Sequence, residues 1–567
     1  ASDITGTSLF YGGGGGAGTR TTTTAGAGGL GGGGSGYSPG ATTAAIQRGG
    51  DGQANTGGGG GGGGWGDATP SSSIYQEWGG RGGSGIVVVR YRGGSAATAG
   101  STAGTGQAST GTGTALGYTL HTFTTTGSTT NLVLAAAAPV LTGVISGSGS
   151  HSLTLDATGG TITLDVANTY TGSTTIAAGT VKLTNAAGLG TSAAGTSVSS
   201  GGALDLAGVS PTGETLTLAG TGISSGGALL NSSATAVTVS GAITLAGNTS
   251  INASAGAITL ASAISESGGA RTLEKLGSGT LILAGANTYS GSTTISAGTL
   301  QIGAGGTAGV LGSGSVTNNA ALVFNRSDDI TVANAISGTG TVTKSGSNTV
   351  TLTTNSSYTG ATTIGGGTLV LQNDAPTRGT SGFNGPGALR IESAGTSFTG
   401  SFSTSGWSFG STLGGLTLGK STNAQDVSLA SAISIAGPVT VYGKNVSADA
   451  AITTNGSDVT LLAGQGASGV LTVKGAITTS GGNIVLHSGK TAAGADTIYT
   501  GRVRLVNGGN LNAGAGDISI RNSSLGAATA GNWYDSSGVF VNMATSLDGG
   551  GSTIYSITGK NVTIAGV

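Results

Sequence analysis

Cysteine is absent from the chain, and with it every disulfide, thiolate metal site and cysteine nucleophile. Charge is almost as scarce: Asp, Glu, Lys and Arg make up 7% of the 567 residues, against about a quarter in an average globular domain. The 20 basic and 21 acidic side chains nearly cancel and form no terminal run, which argues against phosphate-driven nucleic-acid binding and against attraction to an anionic membrane. Aromatic residues contribute 4% and proline 7 positions, and without a Gly-X-Y period the 118 glycines do not make a collagen. The longest apolar run, around residues 131–140, falls short of the roughly 18 residues of a membrane-spanning helix. No charged n-region or initiating Met opens the chain, since Ala1-Ser2-Asp3 leads straight into polar sequence. It therefore reads as a processed product or a segment of a larger chain.

What remains is Gly, Ser, Thr and Ala, with Val, Ile and Leu recurring from about residue 130 to the end. That recurrence separates the chain from disordered sequences, which are poor in such residues and rich in charge. Short alternations such as Ser152-Leu153-Thr154-Leu155, Thr161-Ile162-Thr163-Leu164 and Asp517-Ile518-Ser519-Ile520 are separated by Gly, Ser, Asn or Asp. Period-two runs of this kind predict many short strands, and no sustained 3.6-residue period predicts helices. The missing charge fits strands stacked at about 4.8 Å, where like charges in a column repel but Thr, Ser, Asn and Val do not.

Composition divides the chain into four parts. Residues 1–94 are a glycine-rich head with runs at 12–16, 31–34 and 57–64. Such runs read either as flexible linkers or as a packed bundle of extended polyglycine helices. Pairing of Leu9-Phe10-Tyr11 with Ile86-Val87-Val88-Val89-Arg90-Tyr91 would frame the bundle. Residues 95–131 hold a linker and a connecting strand, and 132–413 and 414–567 are two strand-rich blocks.

Three copies of one motif carry the most specific signal. Asn168-Thr169-Tyr170-Thr171-Gly172-Ser173-Thr174-Thr175-Ile176 recurs as Asn287-Thr288-Tyr289-Ser290-Gly291-Ser292-Thr293-Thr294-Ile295 and, degenerately, as Ser356-Ser357-Tyr358-Thr359-Gly360-Ala361-Thr362-Thr363-Ile364. The Asn is expected to hold a turn through its own backbone, Tyr-x-Gly to make a corner, Thr-Thr-Ile to form a strand and the following Gly-Thr-Val/Leu to start the next. Such a unit cannot bury its apolar side alone and must stack on neighbours.

The motif, with the lead-in Leu273-Glu274-Lys275-Leu276-Gly277-Ser278-Gly279-Thr280-Leu281 to its second copy, resembles the passenger-associated transport repeat of bacterial autotransporters. That resemblance implies a right-handed parallel β-helix displayed outside the outer membrane. Gly82-Gly83-Ser84-Gly85-Ile86-Val87-Val88-Val89-Arg90-Tyr91 and Gly117-Tyr118-Thr119-Leu120-His121-Thr122-Phe123 resemble a glycine-rich module of bacterial surface and phage tail proteins. Stretches such as Ala476-Ile477-Thr478-Thr479-Ser480-Gly481-Gly482-Asn483-Ile484 resemble the rungs of large exoproteins and filamentous-haemagglutinin-like adhesins.

Catalytic constellations are missing from the pattern. Asp328-Asp329 is the only adjacent acidic pair, and neighbouring strand positions face opposite ways, so it reads as a solvated turn. His121, His151 and His487 stand far apart in Thr- and Ser-rich contexts without convergent partners. Gly414-Gly415-Leu416-Thr417-Leu418-Gly419-Lys420-Ser421 has the spacing of a phosphate loop but no following helix, and reads as a rung and a turn. Gly49-Gly50-Asp51 is isolated, unlike calcium-binding nonapeptides. Trp65, Trp78, Trp407 and Trp533 are singly placed and read as packing residues rather than sugar platforms.

The expected fold is all-β, a right-handed parallel β-solenoid of about 20 to 25 residues per coil behind a glycine-rich head, forming a rod. The expected function is that of a non-enzymatic extracellular or surface-displayed adhesin or stalk, with no catalytic residues, cofactor or metal and no nucleic acid partner. Surface glycans or matrix are its expected partners, and its solenoid ends or head are candidates for self-association. A filament or sheath subunit and a phage tail-fibre-like receptor-binding protein are the alternatives.

Overall fold

A computed structural model describes residues 152–373, 382–465, 469–489, 502–505, 509–522 and 557–566. Before these it describes only residues 27, 35, 51, 87–92, 98–99, 118–123, 130–133, 140–141, 144–145. The glycine runs, Leu9-Phe10-Tyr11, His151, Trp65, Trp78 and Trp533 lie outside the described residues. The chain divides into two compact units, Ala1–Leu281 and Ile282–Val567.

In the first unit, Val87–Arg92 pairs antiparallel with Tyr118–Phe123, joining the two segments that resemble the glycine-rich module, with Val89 opposite His121. The remaining ladders are mostly parallel. Leu153 pairs with Thr174, Thr174 with Thr196, Thr196 with Leu216, Leu216 with Ile243 and Ile243 with Ile264. Little more than twenty residues therefore complete a typical coil. Alternation sends every second side chain inward: Leu153 and Leu155 of the strand Leu153–Leu164 are buried, and Thr154 between them is half-buried. Leu155, Ile162, Ile176, Val181, Leu204 and Leu218 are completely enclosed. Thr174–Leu183 bends at Gly179, whose φ of 76° and position against the Ala157 carbonyl leave no room for a Cβ. The one helical piece among the described residues is a 3-10 turn at Ile223–Ser225.

The second unit repeats the plan. A ten-stranded parallel ladder runs from Ile330–Val332 to Val562–Gly566, with Leu416, Val439, Val459, Ile484, Ile518 and Val562 in one column. Two five-stranded parallel ladders begin at Phe402–Ser403 and Ile433–Ile435. Where the first begins, Phe383, Phe398, Phe402, Trp407 and Phe409 fill the interior, with ring centroids of the neighbouring pairs 5.4 to 6.5 Å apart. Trp407 is a packing residue, 8% exposed. Both units bear out the all-β parallel solenoid.

Candidate functional site

Each repeat copy places its tyrosine inside the coil. Tyr170, Tyr289 and Tyr358 are 3%, 0% and 1% exposed, and each hydroxyl meets the threonine four residues on, at 2.5, 2.8 and 2.9 Å. In the first copy Thr174 Oγ1 donates to the Leu189 carbonyl, so the Tyr170 hydroxyl donates to Thr174. Burial pushes the Tyr170 and Tyr289 phenols up and keeps them protonated. A glycine of the next coil lies on the ring in the first two copies: a Cβ at Gly190 or Gly312 would overlap Tyr170 or Tyr289.

The leading asparagine does something other than expected. Asn168 Oδ1 accepts from Ile145 N at 2.8 Å, and its Nδ2 donates to Gly188 O at 2.6 Å. It thus bridges the coils on either side instead of closing its own turn, because stacking leaves backbone groups of both neighbours within reach. Asn287 Nδ2 likewise donates to Val310 O at 2.6 Å.

Two lysines of the lead-in segments are fully buried. Lys275 Nζ donates to the carbonyls of Leu276 and Gly277, both at 2.8 Å. Lys344 Nζ donates to Gly346 O at 2.8 Å and to Gly366 O of the next coil at 2.7 Å. Burial lowers the Lys275 amine to about 8 and lowers Lys344 as well, against the pull of Asp329. Glu214 is buried with its Oε1 accepting from Thr196 Oγ1 at 2.7 Å, and burial holds its carboxyl above the usual range. Sequence reasoning passed over these three groups.

Outside, the registers align hydroxyls. In the first unit Thr154, Thr175, Ser197, Thr217, Thr244 and Ser265 form one column over six consecutive strands, all half-buried. In the second, Thr417, Thr440 and Thr460 align, followed by Val485 and Ser519. Ser428 and Ser447 align in another column, but both donate to Asp449, at 2.7 and 2.6 Å, and Lys474 pairs with that carboxylate at 2.6 Å.

The residues weighed for chemistry are dispersed. Asp328 pairs with buried Arg326 at 2.7 Å, which lowers its carboxyl, and Asp329 accepts from Thr349 N at 2.6 Å. The pair is a turn with fixed partners. His487 is 8% exposed with Nε2 3.1 Å from Ser519 Oγ. Gly415–Leu418 is a ladder strand, and Lys420 of the turn after it donates to Gly395 O at 2.9 Å. No cluster of three His, Asp or Glu side chains suited to a metal occurs among the described residues, and no helix there is long and apolar enough to cross a membrane.

Residues 159–183, 273–302 and 342–371 match the family described as passenger-associated-transport-repeat. The adhesin BmaC autotransporter of Brucella suis biovar 1 (strain 1330) is 46% identical over 72 residues, 13% of this chain and 2% of that protein. The match thus spans a small fraction of that relative's length. No solved structure matches the chain significantly. The chain thus carries three passenger-associated-transport repeats on the coils of a parallel β-solenoid, each with a buried Tyr-Thr pair, and the repeats together with the adhesin similarity indicate the cell surface or extracellular space.

Proposed function

We propose that the chain is a non-enzymatic adhesive passenger that holds cells to glycans or matrix through repeated, individually weak polar contacts. The in-register outward hydroxyl columns carry this reading. Equivalent groups recur at each coil, so many weak contacts form together, and avidity supplies strength that no single contact has. The similarity to a protein named an adhesin supports the same direction. The non-enzymatic part rests on the fixed structural partners of the titratable groups: Glu214, Lys275, Lys344 and Asp328 each hold backbone or a neighbouring side chain. The same reading divides the solenoid near residues 413/414. The aromatic cluster around Phe402 and the two new ladders that start at Phe402 and Ile433, on either side of the boundary, support that division.

Retention of the full chain on cultured cells and on immobilised extracellular matrix tests the adhesive function. Binding that saturates and is stronger when the chain is clustered on beads is expected. Absence of retention on every surface overturns it.

A further inference from the structure

Resting on that adhesive reading, we propose that the column Thr154, Thr175, Ser197, Thr217, Thr244 and Ser265 is a docking face for a neutral polysaccharide lying along the direction in which the coils stack. It is the longest unbroken run of hydroxyl residues in register among the described residues.

Chemistry narrows the occupant. The hydroxyls of Thr175, Ser197 and Thr217 have no hydrogen-bond partner among the described residues, whereas those of Thr244 and Ser265 meet at 3.2 Å and Ser265 Oγ also donates to Ile243 O at 3.3 Å. Free hydroxyls both donate and accept, so they match a polymer that itself presents hydroxyls. No lysine or arginine stands in the column, so nothing there neutralises a sulfated or carboxylated chain. The nearby Asp156 uses Oδ1 to accept from the Thr158 amide and hydroxyl, at 3.1 and 2.5 Å. Peptide capture by strand addition needs an open sheet edge, but the backbone bonds of these strands run to the coils on either side. Small residues flank the column, with Gly195, Ala242 and Ala263 on one side and Ala219 and Ala246 on the other. An extended chain can therefore approach closely. The unit-two columns fit less well: Val485 interrupts Thr417, Thr440 and Thr460, and Asp449 occupies Ser428 and Ser447.

The test compares the full chain with two triple variants. Thr175→Val/Ser197→Ala/Thr217→Val removes hydroxyls from the column, and Thr417→Val/Thr440→Val/Thr460→Val removes the same number from the other unit. Each is applied to beads bearing cellulose, dextran or galactan and to heparin-agarose. These side chains face outward, so matching circular dichroism and unfolding midpoints verify the fold of both variants. The expected result is retention of wild type on at least one neutral support and not on heparin. The first variant should lose retention by about tenfold or more and the second by less than about twofold. Equal retention of the two variants, or no wild-type retention on any neutral support, overturns the proposal. Cell retention that survives in the first variant overturns this face alone, whereas absence of wild-type retention on cells overturns the adhesive reading itself.

Discussion

Single residues show how a chain with so little charge uses the charge it buries. Lys275 and Lys344 share the parity of Leu273 and Val342 in their strands, so alternation alone turns them inward. The signal lies in the phase of the strand, although lysine is ordinarily a surface residue. Once inside, the amine holds carbonyls at the turn that follows the strand. For Lys275, an amine lowered to about 8 binds its proton less tightly in the folded than in the unfolded chain. Its charge therefore penalises folding below that value, and the penalty fades as pH rises toward the free-lysine range, near 10.4. Urea unfolding should show stability of wild type rising between about pH 8 and 10, with the rise reduced in Lys275→Met. Glu214 works with the opposite chemistry: its raised carboxyl favours the folded state when protonated, and this contribution is lost as pH climbs through the raised value. Glu214→Gln keeps an acceptor for Thr196, so it should match wild type at about pH 4 and exceed it at pH 7. A wild type that is the more stable form at pH 7 would contradict the buried placement.

At the scale of the element, the repeat is a device for stacking. The tyrosine fills the coil, the threonine takes its hydroxyl, and a glycine in the next coil allows the ring to lie flat against the backbone. Tyr289→Phe leaves Thr293 Oγ1 in a buried site without that partner and should cost about 1–3 kcal/mol. Gly312→Ala should cost a similar amount by overpacking, about 1–3 kcal/mol. Chemical unfolding of the two variants reads both losses, and a Gly312→Ala chain as stable as wild type would show that the ring is not against that backbone. Strand content was legible here: Thr293–Ile295 and Thr299–Ile302 lie where Thr-Thr-Ile and Gly-Thr-Leu predict strands, as do Thr362–Ile364 and Thr368–Gln372. Partners across coils were not, because they depend on register between residues some twenty positions apart. Asn168 was therefore read as closing its own turn when it bridges two others. Five aromatics at scattered positions met in one cluster for the same reason.

For the molecule as a whole, scarcity of charge and regularity of register belong together. Columns of identical chemistry tolerate hydroxyls and aliphatic groups but not like charges, and the outward surface that results is polar without a strong field. Adhesion through such a surface should depend little on ionic strength. Retention on cells is expected to change by less than about twofold from low salt to about 1 M, where the screening length has shrunk to about 3 Å. A steep loss with salt would indicate contacts through the few exposed charges instead.

Register is what places every group discussed above, and a cysteine-free chain allows it to be read directly. Paired coils bring Thr175 and Ser197 side by side, at a Cα separation of about 4.8 Å, within the about 4.4–6.8 Å span of a disulfide. Thr175 and Thr217 are two coils apart, roughly 10 Å. Under mild oxidation, Thr175→Cys/Ser197→Cys should close an intramolecular disulfide detectable by mass spectrometry of the digested chain, and Thr175→Cys/Thr217→Cys should not. Closure of the second pair in preference to the first would contradict coils stacked in this register.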